Sequence, residues 1–549
     1  MSLYSGLVDE RVSCRVISDN SIARNYSYIW GLSCIRSEHC ILDFNLVKMR
    51  NMSIEGHIQR EQILQLAPIA PEMPLREATV FDTTFHDHLD ILQPGRFLAH
   101  APTVLVVFHA LTGGGHEQRV SSITKRLSMS DVNVCVLSLG RNLFHEEGGI
   151  YDYGRNTLVV RPKHFFRPGG PKGTLLATNE EVPRRVHDAH DWLDAQREDL
   201  STLLSYLRPS LLGTEFYPMG YDNNPAFKTI VELAGDIKKI CIVRDFTVGM
   251  PELGKHLGIF DRLRAIGKDP DTIFKTVEPL NSRRRDILES HYKAVFVMGD
   301  GTLPASLGMD PQILSWLKSQ ESCVLRQVGY ASEAVPVRLE MPDEHRPILV
   351  TAGSGALDSG SRELYESIVT AFEQGLFKDL FRRVVMVLGP SYPKDLGDEL
   401  ISRAERLAGE QLVMIRTLPS DQLAQLISNS AVAVTKAGLN TTLACMTAQV
   451  PSILVPKHDA EQLARAYCLS QQVNNFLPVL LDPKPSTVSE SIFHLLEARH
   501  RIVWPKVENV IGDVYVALEI STMLGVTEAA DFTRLVFEGH SSSSLRVAI

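Results

Sequence analysis

Two stretches of this 549-residue chain place glycine, hydroxyl and titratable residues just where an apolar run ends. In the first, His109-Ala110-Leu111-Thr112-Gly113-Gly114-Gly115-His116 closes a β-branched run that begins at Thr103. Glycines let a backbone approach a ligand closely and take dihedrals that other residues avoid. Glu117 to Leu127 reads as a helix, so the loop amides lie at a helix N-terminus, which suits an anion or a hydroxyl-rich ligand. His116 stands at that helix start, and an imidazole with an ordinary pKa near ~6.5 can take a proton from a hydroxyl. The same letters also spell a Gly-rich turn with an ordinary helix-start histidine.

The second stretch runs from the apolar Ala431-Val432-Ala433-Val434 through Thr435-Lys436-Ala437-Gly438 to Leu439-Asn440-Thr441-Thr442, which opens a helix. Hydroxyls beside unpaired helix N-terminal amides are what a diphosphate needs. Threonines that simply cap a helix would look alike. Val450 to Pro456 is then a strand ending in proline, followed by Asp459-Ala460-Glu461-Gln462, whose acid and amide groups can hold sugar-type hydroxyls. Lys436 either reaches a phosphate as a point charge or lies on the surface. Gly353-Ser354-Gly355 follows a third apolar run, Ile348–Ala352. A dinucleotide fingerprint would need another glycine three residues on, where Asp358 stands, so an NAD enzyme is not expected.

These residues need elements to hold them. From about residue 102, short apolar runs alternate with helical stretches: Thr103–His109, Val132–Leu139, Thr157–Arg161, Leu211–Glu215, Lys239–Arg244, Ala294–Met298 and Cys323–Val328. Strands that are apolar throughout, rather than alternating, belong to parallel sheets covered on both faces. Glu333–Arg346, with Pro336 and Pro342, reads as a linker. A second series follows it: Ile348–Thr351, Val384–Leu388, Leu412–Ile415, Ala431–Thr435, Ser452–Val455 and the shorter Val479–Leu481. The fold class is therefore α/β, with two Rossmann-like doubly wound domains facing a cleft, plus an N-terminal extension. The expected boundaries are an extension over 1–95, a first domain over 96–335, a linker over 336–346, a second domain over 347–505 and a C-terminal helix and tail over 506–549. His86, Asp87, His88 and Asp90 cluster in the extension, where plain surface is the expectation rather than a metal site.

Composition narrows the class. A hydrophobic fraction of 44% and a charged fraction of 22% are those of a globular enzyme, and a net charge of -9 argues against a nucleic-acid binder. The basic clusters Arg184-Arg185 and Arg283-Arg284-Arg285 have acidic neighbours and read as solvated surface. No apolar run approaches a membrane span, and no secretory signal is visible. Eight cysteines without a CxxC pair fit a cytoplasmic protein without disulfides or zinc, with Cys135, Cys241 and Cys323 buried in apolar runs.

Taken together, the span from about 100 to 505 resembles the GT-B glycosyltransferases with a family 28-like C-terminal domain, most of all the bacterial group described only as predicted glycosyltransferases. The resemblance is carried by Gly438-Leu439-Asn440-Thr441, Glu461-Gln462-Leu463, Arg208-Pro209-Ser210-Leu211-Leu212-Gly213-Thr214-Glu215-Phe216-Tyr217-Pro218, Arg244-Asp245 and Gly299-Asp300. It implies an enzyme that moves a sugar, of hexosyl or N-acetylhexosaminyl type, from a nucleoside diphosphate sugar such as a UDP-sugar to a hydroxyl or amine. Transfer would be inverting and metal-independent, with no cofactor beyond the donor. His116 would be the base, with Glu215 or Asp245 as substitutes. Gly113, Gly114, Gly115 and Arg244 would face a small-molecule or lipid acceptor. Gly353, Ser354, Gly355, Lys436, Gly438, Asn440, Thr441, Thr442, Glu461 and Gln462 would hold the donor. Peripheral membrane contact is compatible with a lipid acceptor. One departure stands out: relatives commonly carry a ribose-binding Glu where this chain has Ala444. Two other classes therefore stay open, a non-catalytic sugar-nucleotide binder or partner subunit and a nucleotide-sugar epimerase of the same architecture.

Overall fold

A run such as Thr-Val-Leu-Val-Val-Phe satisfies both its backbone and its side chains only inside a sheet that is covered on both faces. All six residues of Thr103–Phe108 are buried. The computed structural model describes residues 77–80, 97–109, 115–139, 149–154, 156–161, 189–219, 225–244, 251–274, 278–298, 311–330, 339–355, 359–407, 411–457, 460–504 and 512–526.

The strands of the first sheet are β1 (Glu77–Val80), β2 (Thr103–Phe108), β3 (Asn133–Ser138), β4 (Gly149–Gly154), β5 (Thr157–Arg161), β6 (Leu211–Glu215), β7 (Lys238–Arg244), β8 (Ala294–Met298) and β9 (Val324–Gln327). Their order is β1-β4-β5-β3-β2-β6-β7-β8-β9. From β5 to β9 all neighbours are parallel, and β4 with β1 adds an antiparallel edge. The second sheet, β10 (Ile348–Thr351), β11 (Val384–Val387), β12 (Leu412–Ile415), β13 (Val432–Thr435) and β14 (Ser452–Leu454), is parallel throughout in the order β12-β11-β10-β13-β14. Both orders reverse once, between β2 and β6 and between β10 and β13. A doubly wound sheet opens a crevice at that reversal, outside the carboxyl ends of its strands.

Alternate residues of the buried strands serve opposite faces. On one face of the first sheet, Leu105, Val107, Leu212 and Val243 meet Leu200, Leu203 and Leu204 of the helix Ala189–Leu207. On the other, Val104, Val106, Ile240 and Ile242 meet Val120, Ile123 and Leu127 of the helix Gly115–Leu127. That face is completed from the far end of the chain by Val516, Ala517 and Ile520 of the helix Gly512–Met523. The exchange runs both ways. Leu257, Ile259, Phe260, Leu263 and Phe274, which follow β7, share a core with Val350, Met386 and Val434 of the second sheet. Arg262 adds a cation–π contact, 5.3 Å from the ring of Tyr467. Each sheet is thus covered partly by chain that belongs, in sequence, with the other. The stretch 251–274 lies within the span expected to form the first domain, yet its apolar side chains pack with the second.

Several local expectations change. Glu77–Val80 falls within the expected extension but pairs with β4, so that region contributes a strand to the first sheet. Neither β1 nor β4 was read from sequence; β4 (Gly-Ile-Tyr-Asp-Tyr-Gly) is bounded by glycines, which obscure a strand signal. Val479–Leu481 makes a single parallel bridge between Leu454 and Val479 instead of a strand. Arg284 is buried at 3% exposure in the helix Glu278–His291, which corrects the solvated reading for the middle of that arginine run. The described part of the linker is pinned: Asp343 pairs with Arg382 at 2.5 Å and with Arg499. Cys135, Cys241 and Cys323 are buried free thiols, with burial pushing Cys135 up to about 12. Arg184-Arg185 and the His86–Asp90 cluster lie outside the described residues. Among the described residues no helix is long and apolar enough to cross a membrane.

The Gly512–Met523 helix is locked to the Gly115–Leu127 helix by a buried ion pair. Asp513 Oδ2 accepts from Arg126 Nε at 3.0 Å and from Ser122 Oγ at 2.6 Å, with both charged side chains at 3% exposure or less. Removing one partner of such a pair strands the other charge and costs about 3–5 kcal/mol. Asp513→Ala is therefore expected to lose about that much in urea unfolding; a loss below about 1 kcal/mol would contradict the pairing.

Candidate functional site

The two reversals of strand order face one another. His116 follows β2 and Glu215 ends β6, the two strands flanking the reversal in the first sheet. The Gly353 turn follows β10 and the Thr441 helix follows β13, flanking the reversal in the second. Asn440 Nδ2 donates to Gln118 Oε1 across the gap. A Cβ placed on Gly115 would stand 3.8 Å from Asn440 Nδ2. The two motifs read separately from sequence therefore meet.

On the first-sheet side, the helix Gly115–Leu127 carries His116 and Arg119 one turn apart, so both side chains lie on one face. Glu215 closes β6 and is fully buried. His116 Nδ1 lies 2.7 Å from Glu215 Oε2 and 2.9 Å from Oε1. Arg119 reaches Oε1 through Nε at 3.1 Å and Nη2 at 2.7 Å. Burial alone would raise the Glu215 pKa, but attraction to His116 and Arg119 and their hydrogen bonds outweigh it and bring it to about 2. The carboxylate is ionised and only accepts, so the proton of a neutral imidazole belongs on Nδ1 and Nε2 is the basic nitrogen. Phe216, next after Glu215, takes φ 68°, a costly conformation for a bulky side chain. Its ring stands 5.3 Å from the His116 ring. The strained turn is held from below: Thr214 Oγ1 donates to Tyr217 O at 2.8 Å, Cys241 Sγ donates to the same carbonyl at 2.8 Å, and Tyr217 stacks on Phe227.

This geometry revises one expectation. Glu215 is enclosed behind His116 with both oxygens engaged, so it orients the imidazole and offers no open carboxylate to a substrate. Arg119 and Gln118 were missed in the sequence. Arg119 was legible in principle, three residues after His116 on the helix face that faces β6. Arg244 ends β7; its side chain, together with Gly113, Gly114, Asp245, Gly299 and Asp300, lies outside the described residues.

On the second-sheet side, the turn after β10 needs its glycines. Gly353 has φ 69° and Gly355 φ 71°, and a Cβ on Gly355 would lie 2.0 Å from Leu388 O. Gly389, after β11, is packed as closely on Gly353 O. The Gly353 turn faces the Thr441 hydroxyl, at 3.6 Å from the position a Cβ would take. The helix Leu439–Thr447 begins at Gly438, which caps it with no side-chain hydrogen bond. The threonines are therefore its third and fourth residues and do not cap it. Its first-turn amides have no intrahelical acceptor and carry the positive end of the helix dipole. Thr442 Oγ1 and Thr435 Oγ1 are buried without a hydrogen-bond partner among the described residues. Lys436 is buried, with Nζ 3.3 Å from Ser361 Oγ, which rules out the surface alternative.

Glu461 and Gln462 open the helix Ala460–Gln472 after β14. Glu461 Oε1 accepts from Arg465 at 2.6 Å, and Gln462 Oε1 accepts from Lys457 N at 3.0 Å. Arg465, at 1% exposure, also donates to Ala437 O at 2.9 Å, a residue held at φ 59°. Arg465 was also missed; its signal was the i, i+4 spacing from Glu461. It ties the turn after β13 to the acid after β14. Ala444 packs at the edge of a small apolar cluster with Cys445 and Ala448.

No family model matches the chain, and no curated protein does. Among solved structures, it is similar to the calicheamicin glycosyltransferase CalG4, at 15% identity over 78% of this chain and 99% of that one, with a TM-score of 0.47. It is similar to a UDP-glucosyltransferase from Polygonum tinctorium at 12% identity, over 78% and 100% of the two chains, with a TM-score of 0.46. A UDP-GlcNAc 2-epimerase from Methanocaldococcus jannaschii matches at 11% identity, over 77% and 100%, with a TM-score of 0.43. The names of these structures span two reaction classes.

Glu215 is one group through which pH should act on stability. Its folded pKa, about 2, lies below the ordinary value of 4.5. Its contribution is then fully present above about pH 4.5 and lost as pH falls toward 2, on the order of 3 kcal/mol in all. Urea unfolding should show Glu215→Gln costing more at pH 7 than at pH 3. An equal cost at both would contradict the assignment.

Proposed function

We propose that this protein transfers a sugar from a nucleoside diphosphate sugar to an acceptor hydroxyl or amine, with inversion at the anomeric carbon. The observation that carries the reading is the buried His116–Glu215 pair set across the cleft from an N-terminal helix turn with no side-chain cap. Glu215 fixes the Nδ1–H tautomer, so Nε2 of His116 takes the acceptor's proton as the acceptor oxygen or nitrogen attacks the anomeric carbon. The bond from that carbon to the diphosphate oxygen breaks as the new one forms, and its electron pair leaves with the diphosphate. The first-turn amides from Leu439 and the Thr441 hydroxyl bind the departing oxygens, with Gly353, Ser354 and Gly355 closing over them. Glu461 and Gln462, held by Arg465 and by the Lys457 amide, face the sugar. The Leu439 helix start supplies the positive potential for the leaving group, so the reading expects full rate in excess chelator.

Ala444 offers no carboxylate to the ribose, so the reading expects modest donor affinity. A binder without activity, or an epimerase, would have to use the same cleft without an acceptor. Three outcomes separate them. His116→Ala is expected to abolish transfer to an acceptor while thermal stabilisation by uridine, guanosine or thymidine diphosphate persists. Thr441→Val is expected to weaken that stabilisation, raising the diphosphate Kd by about ten- to a hundredfold for one charge-assisted hydrogen bond. Incubation with donor alone is expected to leave the sugar's configuration unchanged. Epimerised sugar without acceptor, or full transfer by His116→Ala, would overturn the proposal.

A further inference from the structure

A carboxylate buried against a histidine brings a difficulty of its own. At 2.7 Å, Glu215 Oε2 stabilises the imidazolium form of His116, and a ring that already carries its second proton cannot accept one from a substrate. Arg119 stands where it counters that effect. Its Nε and Nη2 both reach Glu215 Oε1, and Nη2 lies 3.3 Å from His116 Nδ1. Since Nδ1 donates to the carboxylate, it has no lone pair for the guanidinium, and the 3.3 Å approach sets two donors side by side. That contact is unfavourable for a charged ring and tolerable for a neutral one.

We propose that Arg119 is the positioning residue that keeps His116 an uncharged base: its guanidinium cancels the charge of Glu215, so the carboxylate orients the imidazole without loading a proton onto it. The burial of all three groups makes the cancellation effective, because little water remains to screen them; Glu215 is fully enclosed, Arg119 is 4% exposed and His116 8%. Among the described residues, two further pairs involve the helix that carries the ring. On the same helix Arg126 is paired with Asp513 of the Gly512–Met523 helix, and the Leu439–Thr447 helix presents the neutral Asn440 to Gln118. Glu117, the ring's neighbour in sequence, is buried on that helix as well. The inference rests on His116 being the base of the proposed transfer, but it concerns the ring's charge, which can be read without any turnover.

The test is the titration of the His116 ring, followed by NMR of labelled histidine Cε1–H in the full chain and assigned by difference with His116→Gln. In Arg119→Gln the midpoint is expected to rise by at least about 1 pH unit, the usual effect of an uncompensated carboxylate at hydrogen-bond range. Arg119→Lys keeps the charge and should stay closer to the wild-type midpoint than Arg119→Gln. Glu215→Gln leaves the cation alone and should lower the midpoint. In the double variant Arg119→Gln, Glu215→Gln the two effects should cancel, returning it to within about half a unit of wild type; this holds the test open if Arg119→Gln alone does not fold. The acid limb of the kcat/KM profile should move with the ring in Arg119→Gln. An unmoved or lowered midpoint in Arg119→Gln, or a double variant displaced by more than about 1 unit, would overturn the role of Arg119. Retained turnover in His116→Ala would instead overturn the base, so the two failures are distinct.

Discussion

The structure turns on one buried negative charge. An isolated carboxylate enclosed at the end of β6 would be expelled or neutralised. Glu215 stays ionised because the next element in space, the helix after β2, offers it an imidazole and a guanidinium from a single face. That demand fixes much around it. The helix must start close to the end of β2 so that position 116 reaches inward, and the chain after Glu215 must turn so sharply that Phe216 accepts a left-handed backbone. The cost of that turn is offset by the bonds that Thr214 and Cys241 make to the Tyr217 carbonyl.

The second constraint is that two strand-order reversals must face each other. Each sheet alone would leave its crevice open to water. Here the Leu439 helix start approaches the Gly115 helix start, and two segments of the chain pack against the sheet that is not their neighbour in sequence. Residues 251–274 leave the first sheet to pack in the core of the second, and the Gly512–Met523 helix returns to the first. The returning helix grips the His116-bearing helix through Asp513 and Arg126. The scaffold and the site are thereby joined in one helix, with His116 at its start and Arg126 in its last turn.

The strands were the most legible part of the chain. Val104 to Phe108 or Ile348 to Val350 have no polar position at all, and a run of that kind fits a covered parallel strand. β4, with glycines at both ends and tyrosine and aspartate between, carried no such pattern. The motif loops were legible because glycine, threonine and histidine follow those strands directly, and strand ends are where such a fold binds ligands. What could not be read was pairing over long separations. Nothing near Glu215 in sequence says that it meets residues 116 and 119, and the i, i+4 spacing that links Arg465 to Glu461 says nothing of its bond to the Ala437 carbonyl. Arg284 shows the reverse error, since acidic neighbours in sequence said nothing about which face of its helix turned inward.

The central claim is that the cleft between the two reversals holds a nucleoside diphosphate with its terminal phosphate on the Leu439 helix start and its sugar position facing His116. A crystal structure of the complex with uridine diphosphate tests it most directly. The account predicts the terminal phosphate within hydrogen-bond distance of the first-turn amides and Thr441 Oγ1, covered by Gly353 to Gly355. The sugar-bearing oxygen would then point toward Nε2 of His116. A diphosphate bound elsewhere, or bound there with its terminal phosphate turned away from His116, would contradict it.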